Sequence, residues 1–147
     1  ILQSYTSGDY KGEFNDTNFK NKVTIDMSLG RNEYSLLFKI KINDAKFCFD
    51  TNTKITLNFR DGSKIDLKHE SYDNCDGETI LFLGNIFGKQ SFITLEELNK
   101  KELFYIRISN GLFSFEDDEI SALEVYLSKF EALKILYNIN CLSSNLN

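Results

Sequence analysis

Apolar side chains in this chain recur at every second position, segment after segment. Val23, Ile25 and Met27 alternate with Lys22, Thr24, Asp26 and Ser28. Tyr34, Leu36, Phe38, Ile40 and Ile42 alternate with Ser35, Lys39 and Lys41, with Leu37 the exception. Ile55, Leu57 and Phe59 alternate with Lys54, Thr56, Asn58 and Arg60. Successive side chains on a strand point to opposite faces, so this pattern describes sheets packed on one face and wet on the other. The expected fold is mainly β: an antiparallel sandwich or partly open barrel of about eight strands, with one short helix and a long C-terminal helix. An α+β fold, a single sheet packed on the helix, is the alternative. A chain of 147 residues suits one domain, 1–147.

The segments divide as follows. Residues 1–21 are polar and contain Gly, and read as an irregular N-terminal segment with at most a short edge strand. Strands are expected at 22–28 and 33–42, with Gly30 in the turn between them, and a short strand at 47–50. Residues 54–60 and 64–69 form a hairpin through Asp61-Gly62, a pairing suited to a tight turn. A strand over 79–87 is interrupted at Gly84. Thr94 and Glu97 have capping-box spacing and start a short helix. Residues 103–109 are strand again, with Phe104, Ile106 and Ile108 on one face and Tyr105 and Arg107 on the other. Asn110-Gly111 predicts a second hairpin into 112–116.

The last expected element is a helix over 118–139, with the acidic run Glu116 to Glu119 at its start favouring the positive end of the helix dipole. Ile120, Leu123, Tyr126, Leu127, Phe130, Leu133 and Tyr137 make one broad apolar face. Val125, Ala132, Leu136 and Ile139 make a second stripe. A helix lying on a sheet does not need that stripe, so these four are the candidate partner-binding residues. The N-terminal segment is the simpler cover; a second copy of the chain, in a homodimer, is the other.

Charge and composition narrow the function. Seventeen Lys and Arg stand against 22 Asp and Glu, for a net charge of −5. An acidic surface repels phosphate backbones, and no segment interleaves basic and aromatic residues, so a nucleic-acid partner is not expected. No apolar run is long enough to cross a membrane. The chain has no Trp and no Pro, so 13 Phe and 7 Tyr supply its large apolar volume. Three cysteines, Cys48, Cys75 and Cys141, allow one disulfide in an oxidising compartment, with the pairing open. The first residue is Ile1 rather than Met. A removed signal peptide is one explanation and a chosen chain boundary is the other.

Candidate chemistry is sparse. His69 is the one histidine and ends a strand in phase with Ile65 and Leu67. A base needs a nucleophile and an orienting group converging on it; the simpler reading is a ring packed at the rim of the core. Asp73, Asp76 and Glu78 crowd a Gly-containing loop and are the weak candidates for a cation, but their spacing is not that of an EF-hand loop. Cys48 or Cys75 as a nucleophile would require a neighbouring base. Arg107 suits a surface ion pair. Asn15-Asp16-Thr17 is a glycosylation acceptor triplet of a kind common by chance. No catalytic residue and no cofactor is expected.

From Lys54 onward the order of elements carries a resemblance. The run Ile55 to Leu67 through Asp61-Gly62, the Tyr72 to Cys75 loop and the capped helix at Thr94 to Leu98 are its first part. Ile106-Arg107-Ile108, Phe115 and the segment Phe130 to Lys134 complete it. In these it resembles an uncharacterised group of small secreted-type bacterial proteins of unknown function. The resemblance implies export behind a removed signal peptide and brings no activity. The expected function is therefore a non-enzymatic exported binding or accessory protein with a protein or glycan partner, secreted or periplasmic, with a cytoplasmic location the alternative. An acidic inhibitor or immunity-type protein that masks a basic partner is the second reading, and a hydrolase-type enzyme the third.

Overall fold

The computed structural model describes residues 3–14, 22–31, 35–43, 47–85, 95–109 and 122–143. Within them lie eight strands and two helices, in the order β1 (Gln3–Phe14), β2 (Lys22–Arg31), β3 (Ser35–Asn43), β4 (Lys54–Phe59), β5 (Lys64–Lys68), β6 (Glu78–Asn85), α1 (Leu95–Leu98), β7 (Leu103–Ser109), β8 (Ala122–Tyr126) and α2 (Lys129–Ser143). All strand pairs are antiparallel. The order across the sheet is β5-β4-β7-β8-β1-β2-β3-β6. It divides into two four-stranded halves, because β8 and β1 join only through Glu124 opposite Glu13 and Leu123 opposite Phe14. The mainly β, antiparallel class expected from the alternation holds, and the sheet stays open rather than closing into a barrel: no ladder joins the edge strands β5 and β6 among the described residues.

Alternation places the core as it should. Ile25, Met27 and Leu29 of β2, Leu36, Phe38, Ile40 and Ile42 of β3, and Leu81 and Leu83 of β6 are buried. So are Ile55, Leu57 and Phe59 of β4, Ile65 and Leu67 of β5, and Ile106 and Ile108 of β7. Side chains from both halves belong to one contiguous apolar cluster, together with Ile135, Ile139 and Leu142 of α2. Removing one such aliphatic side chain from water is worth about 1.5–3 kcal/mol, so the shared core is what holds two weakly laddered halves together. The helix α2 packs on β1, β2 and β3 of one half and on β7 of the other.

Four expectations are corrected. The N-terminal segment is not irregular: β1 is a twelve-residue strand in the interior of the sheet order, laddered along β2 from Gln3–Arg31 to Glu13–Lys22. Gly30 is not in a turn, because β2 runs on to Arg31 and Gly30 sits in ladder between Ser4 and Leu37. Residues 47–50 are not a strand of their own; Phe49 makes one isolated bridge, to Asn74.

The fourth correction concerns the long helix. Residues 122–126 of the span expected as helix are the strand β8, and the helix starts only at Lys129. Leu123, Val125 and Leu127 are buried, alternating with Glu124 and Tyr126. Ser128 then stops the strand with a capping box: its Oγ accepts from the Glu131 N–H at 3.1 Å, and Glu131 Oε1 accepts from the Ser128 N–H at 2.9 Å. The helix turns accordingly. Ala132, Ile135, Ile139 and Leu142 face the core, while Phe130, Leu133 and Tyr137, expected on the core face, are exposed. Asn110-Gly111 with its hairpin, the acidic run Glu116 to Glu119, Thr94 and the Asn15 triplet lie outside the described residues.

Candidate functional site

Among the described residues, the outer face of β7 and β8 carries a dense grouping of rings and charges that neither the core nor a turn accounts for. It originates in a β-bulge. Asn58 pairs with Tyr105 and Phe59 with Leu103, so Phe104 is an extra residue with no opposite number on β4. Alternation would send Phe104 inward with Ile106 and Ile108. The bulge shifts the phase, so Phe104 and Tyr105 both stand on the outer side: Leu103 and Ile106 are buried, and Phe104 is 41% exposed. Phe104 is thus on the face opposite the one expected.

Tyr126 of β8 lies directly across from Tyr105. Their rings stack with centroids 4.8 Å apart, and Phe104 meets both edge-on, at 5.6 Å. Tyr126 is 55% exposed. Two arginines border the rings. The Arg60 guanidinium sits 5.2 Å over Phe104, donates from Nη2 to the Leu127 carbonyl at 3.0 Å, and pairs with Glu102 at 3.6 Å. Arg107 pairs with Glu124 at 2.8 Å, which is the surface ion pair expected of it. The other oxygen of Glu124 accepts from the Tyr126 hydroxyl at 2.9 Å, and that bond to a carboxylate raises the phenol's pKa above its ordinary value.

The other candidates lie elsewhere. His69 is buried, its Nε2–H donating to the Tyr72 carbonyl at 3.0 Å and its Nδ1 accepting from the Thr79 hydroxyl at 2.8 Å, with its ring stacked on Phe49. Nδ1 therefore ties the residue after β5 to β6, Nε2 ties it to the loop between them, and the Asp73 carboxylate lies 3.7 Å from Nε2. Cys48 and Cys75 are joined in a disulfide, so neither is a thiol nucleophile; Cys141 lies outside it, exposed on α2. Asp73, Asp76 and Glu78 do not converge. Asp73 faces His69, Glu78 is drawn to Lys39 and Lys41 at 3.6 and 3.7 Å, and the Asp76 N–H donates to the Asn74 side chain. No metal-ligating cluster occurs among the described residues.

The proposed partner stripe also dissolves. Val125 belongs to β8 rather than the helix, and Val125, Ala132 and Ile139 are each at most 3% exposed within a single chain, with Leu136 half-buried. Of the four, only Ala132 and Ile139 lie on the core face of α2. No helix among the described residues is long and apolar enough to cross a membrane. The Phe104 grouping was missed because a bulge is a property of the pairing between two strands, though Phe104-Tyr105 as consecutive rings in an alternating strand is a local irregularity that points to it. No family model, curated protein or solved structure matches the chain.

Proposed function

We propose that this chain is a non-enzymatic, exported binding protein that recognises a protein partner through Phe104, Tyr105 and Tyr126. The observation that carries the reading is the bulge, which turns an apolar ring out of the core and completes a three-ring cluster beside two guanidiniums. Aromatic side chains and Arg are enriched where interfaces have their energetic centres. Tyr105 and Tyr126 spend part of their ring faces on each other. A ring face occupied by stacking is not open to a flat sugar ring, which favours packing into a protein surface. A glycan partner is therefore the lesser choice.

Each arginine of the face is paired with a glutamate. The patch is charge-balanced, which favours recognition with little salt dependence over the masking of a basic partner by net charge alone. Export to a secreted or periplasmic location is supported by the Cys48–Cys75 disulfide, since such bonds persist in oxidising compartments. The resemblance to secreted-type bacterial proteins points the same way.

The test is capture of binding partners from secreted and periplasmic fractions on immobilised wild type and on a Phe104→Ser/Tyr126→Ala double variant. A partner bound by wild type should lose about 30-fold or more in affinity to the variant, the scale of a hot spot. Its binding should change little with salt. Equal capture by both proteins, or steep loss with salt, would overturn the reading.

A further inference from the structure

We infer that the open end of the β4–β5 hairpin is a binding site for a small oxyanion, a carboxylate or a phosphate group. This site is separate from the aromatic face and does not depend on it. A cavity of about 360 Å³ lies between the turn before β4 and the end of β5, with Thr53, Lys54, Asp66, Leu67 and Lys68 among its lining residues. That volume lies within the range of small-ligand pockets.

Register sets two lysines side by side in its lining. Lys54 and Lys68 are direct cross-strand partners. The Phe59 N–H donates to the Ser63 carbonyl, and ladder bonds alternate from there, so the Lys54–Lys68 pair falls at a non-hydrogen-bonded position, where opposite side chains stand closest. Like charges set opposite each other destabilise a sheet. Asp66 relieves Lys54, at 3.5 Å, but also accepts from the Thr56 hydroxyl at 2.8 Å. Lys68 has no acidic partner among the described residues. The three charged walls therefore leave one positive charge over, on a chain whose net charge is −5.

Thr53 supplies the buried component. It is 1% exposed, and its Oγ1 accepts from the Asp50 N–H at 3.0 Å. Its own hydroxyl proton finds no acceptor among the described residues. A buried donor without an acceptor is costly, and an oxygen of a ligand in this cavity offers the missing partner. Two ammoniums and a hydroxyl, all donors, around one already engaged carboxylate make a set that an oxyanion satisfies and a cation does not.

The experiment is a titration followed by amide NMR shifts, with inorganic phosphate and acetate as separate probes at constant ionic strength. It uses wild type, Lys68→Gln and Lys64→Gln. Lys64 is exposed on the same strand but lines no part of the cavity. Wild type should show saturable shifts at residues 51–54 and 66–68, with a dissociation constant of about a millimolar. Lys68→Gln should weaken this about tenfold, the scale of one charge-assisted hydrogen bond, and Lys64→Gln less than about twofold. Saturation by phosphate alone identifies a phosphate-bearing ligand; saturation by acetate as well identifies a site for carboxylates. Absence of saturation with both probes overturns the proposal, as does an equal loss in the two lysine variants, which would describe a diffuse ion atmosphere. The unshifted remainder of each spectrum reports that the variant is folded.

Discussion

Gly77 holds a left-handed backbone, φ +78°, where the chain returns from the disulfide loop into β6. A Cβ there would meet the Ile42 carbonyl oxygen at 2.7 Å, and that oxygen belongs to a strand. Gly62, in the β4–β5 turn, has φ +88° but open space around it. Gly77→Ala therefore carries both conformational strain and a steric clash, and should cost about 2–4 kcal/mol, against about 1 kcal/mol for Gly62→Ala, measured by denaturant unfolding. Both glycines follow an aspartate, as Asp61-Gly62 and Asp76-Gly77, so the dipeptide does not distinguish them; the close approach of the Ile42 carbonyl does. Asp61, beside it, is held down to a pKa of about 2 from 3.8, first by the Ser63 hydroxyl, then by the Ser63 N–H and the Lys101 ammonium. A depressed carboxylate contributes stability that is present above its unfolded pKa and lost as pH falls through its folded one. Stability should thus fall between about pH 4 and pH 2, and Asp61→Asn should flatten that fall in a pH series of unfolding midpoints.

At the scale of elements, the strand-then-helix arrangement at the C-terminus follows from Ser128 and Glu131, which satisfy each other's backbone donors. Leu123, Tyr126, Leu127, Phe130, Leu133 and Tyr137 also fit a helical period across the boundary, which is why apolar spacing alone reads as one long helix. The period-two run Leu123, Val125, Leu127 and the Ser128-x-x-Glu131 signature were both legible there, and together they outweigh the longer pattern. The orientation of α2 has a direct consequence. Ile139→Ala should cost about 2–5 kcal/mol, as a truncation in a packed core, whereas Leu133→Ala should stay within about 1 kcal/mol. Thermal or denaturant unfolding of the two variants distinguishes the observed helix face from the one expected from spacing. The bulge in β7 leaves a weaker mark, the consecutive rings Phe104-Tyr105; which position lacks a partner on β4 is set by the pairing of the two strands.

At the scale of the molecule, the Cys48–Cys75 disulfide ties the segment after β3 to the loop before β6, across 27 residues of chain. Around it the Phe49–Asn74 bridge exchanges both backbone bonds, and the Asn74 side chain caps Glu78. The bond limits the unfolded chain, so replacing both cysteines by serine should lower stability by about 3–4 kcal/mol. Reduction of the wild type should produce a comparable loss, read as a shift in the denaturant midpoint with and without a dithiol. This loop also places Tyr72 and Asp73 against His69, whose other nitrogen meets Thr79 of β6, so its loss should loosen that contact.

Side-chain spacing is enough for the antiparallel β class, the β4–β5 hairpin with its Asp61-Gly62 turn, and the inward face of most strands. Each depends on how a residue and its near neighbours divide between water and core, and that information is local. Long-range pairing was needed to place β1 inside the sheet order, to join Cys48 with Cys75 and to turn Phe104 outward. These depend on which distant segments pair and in what register. A polar segment such as Gln3–Phe14 enters a sheet because its backbone ladders along β2 and joins β8 at its end, and backbone hydrogen bonding leaves no mark in the spacing of side chains.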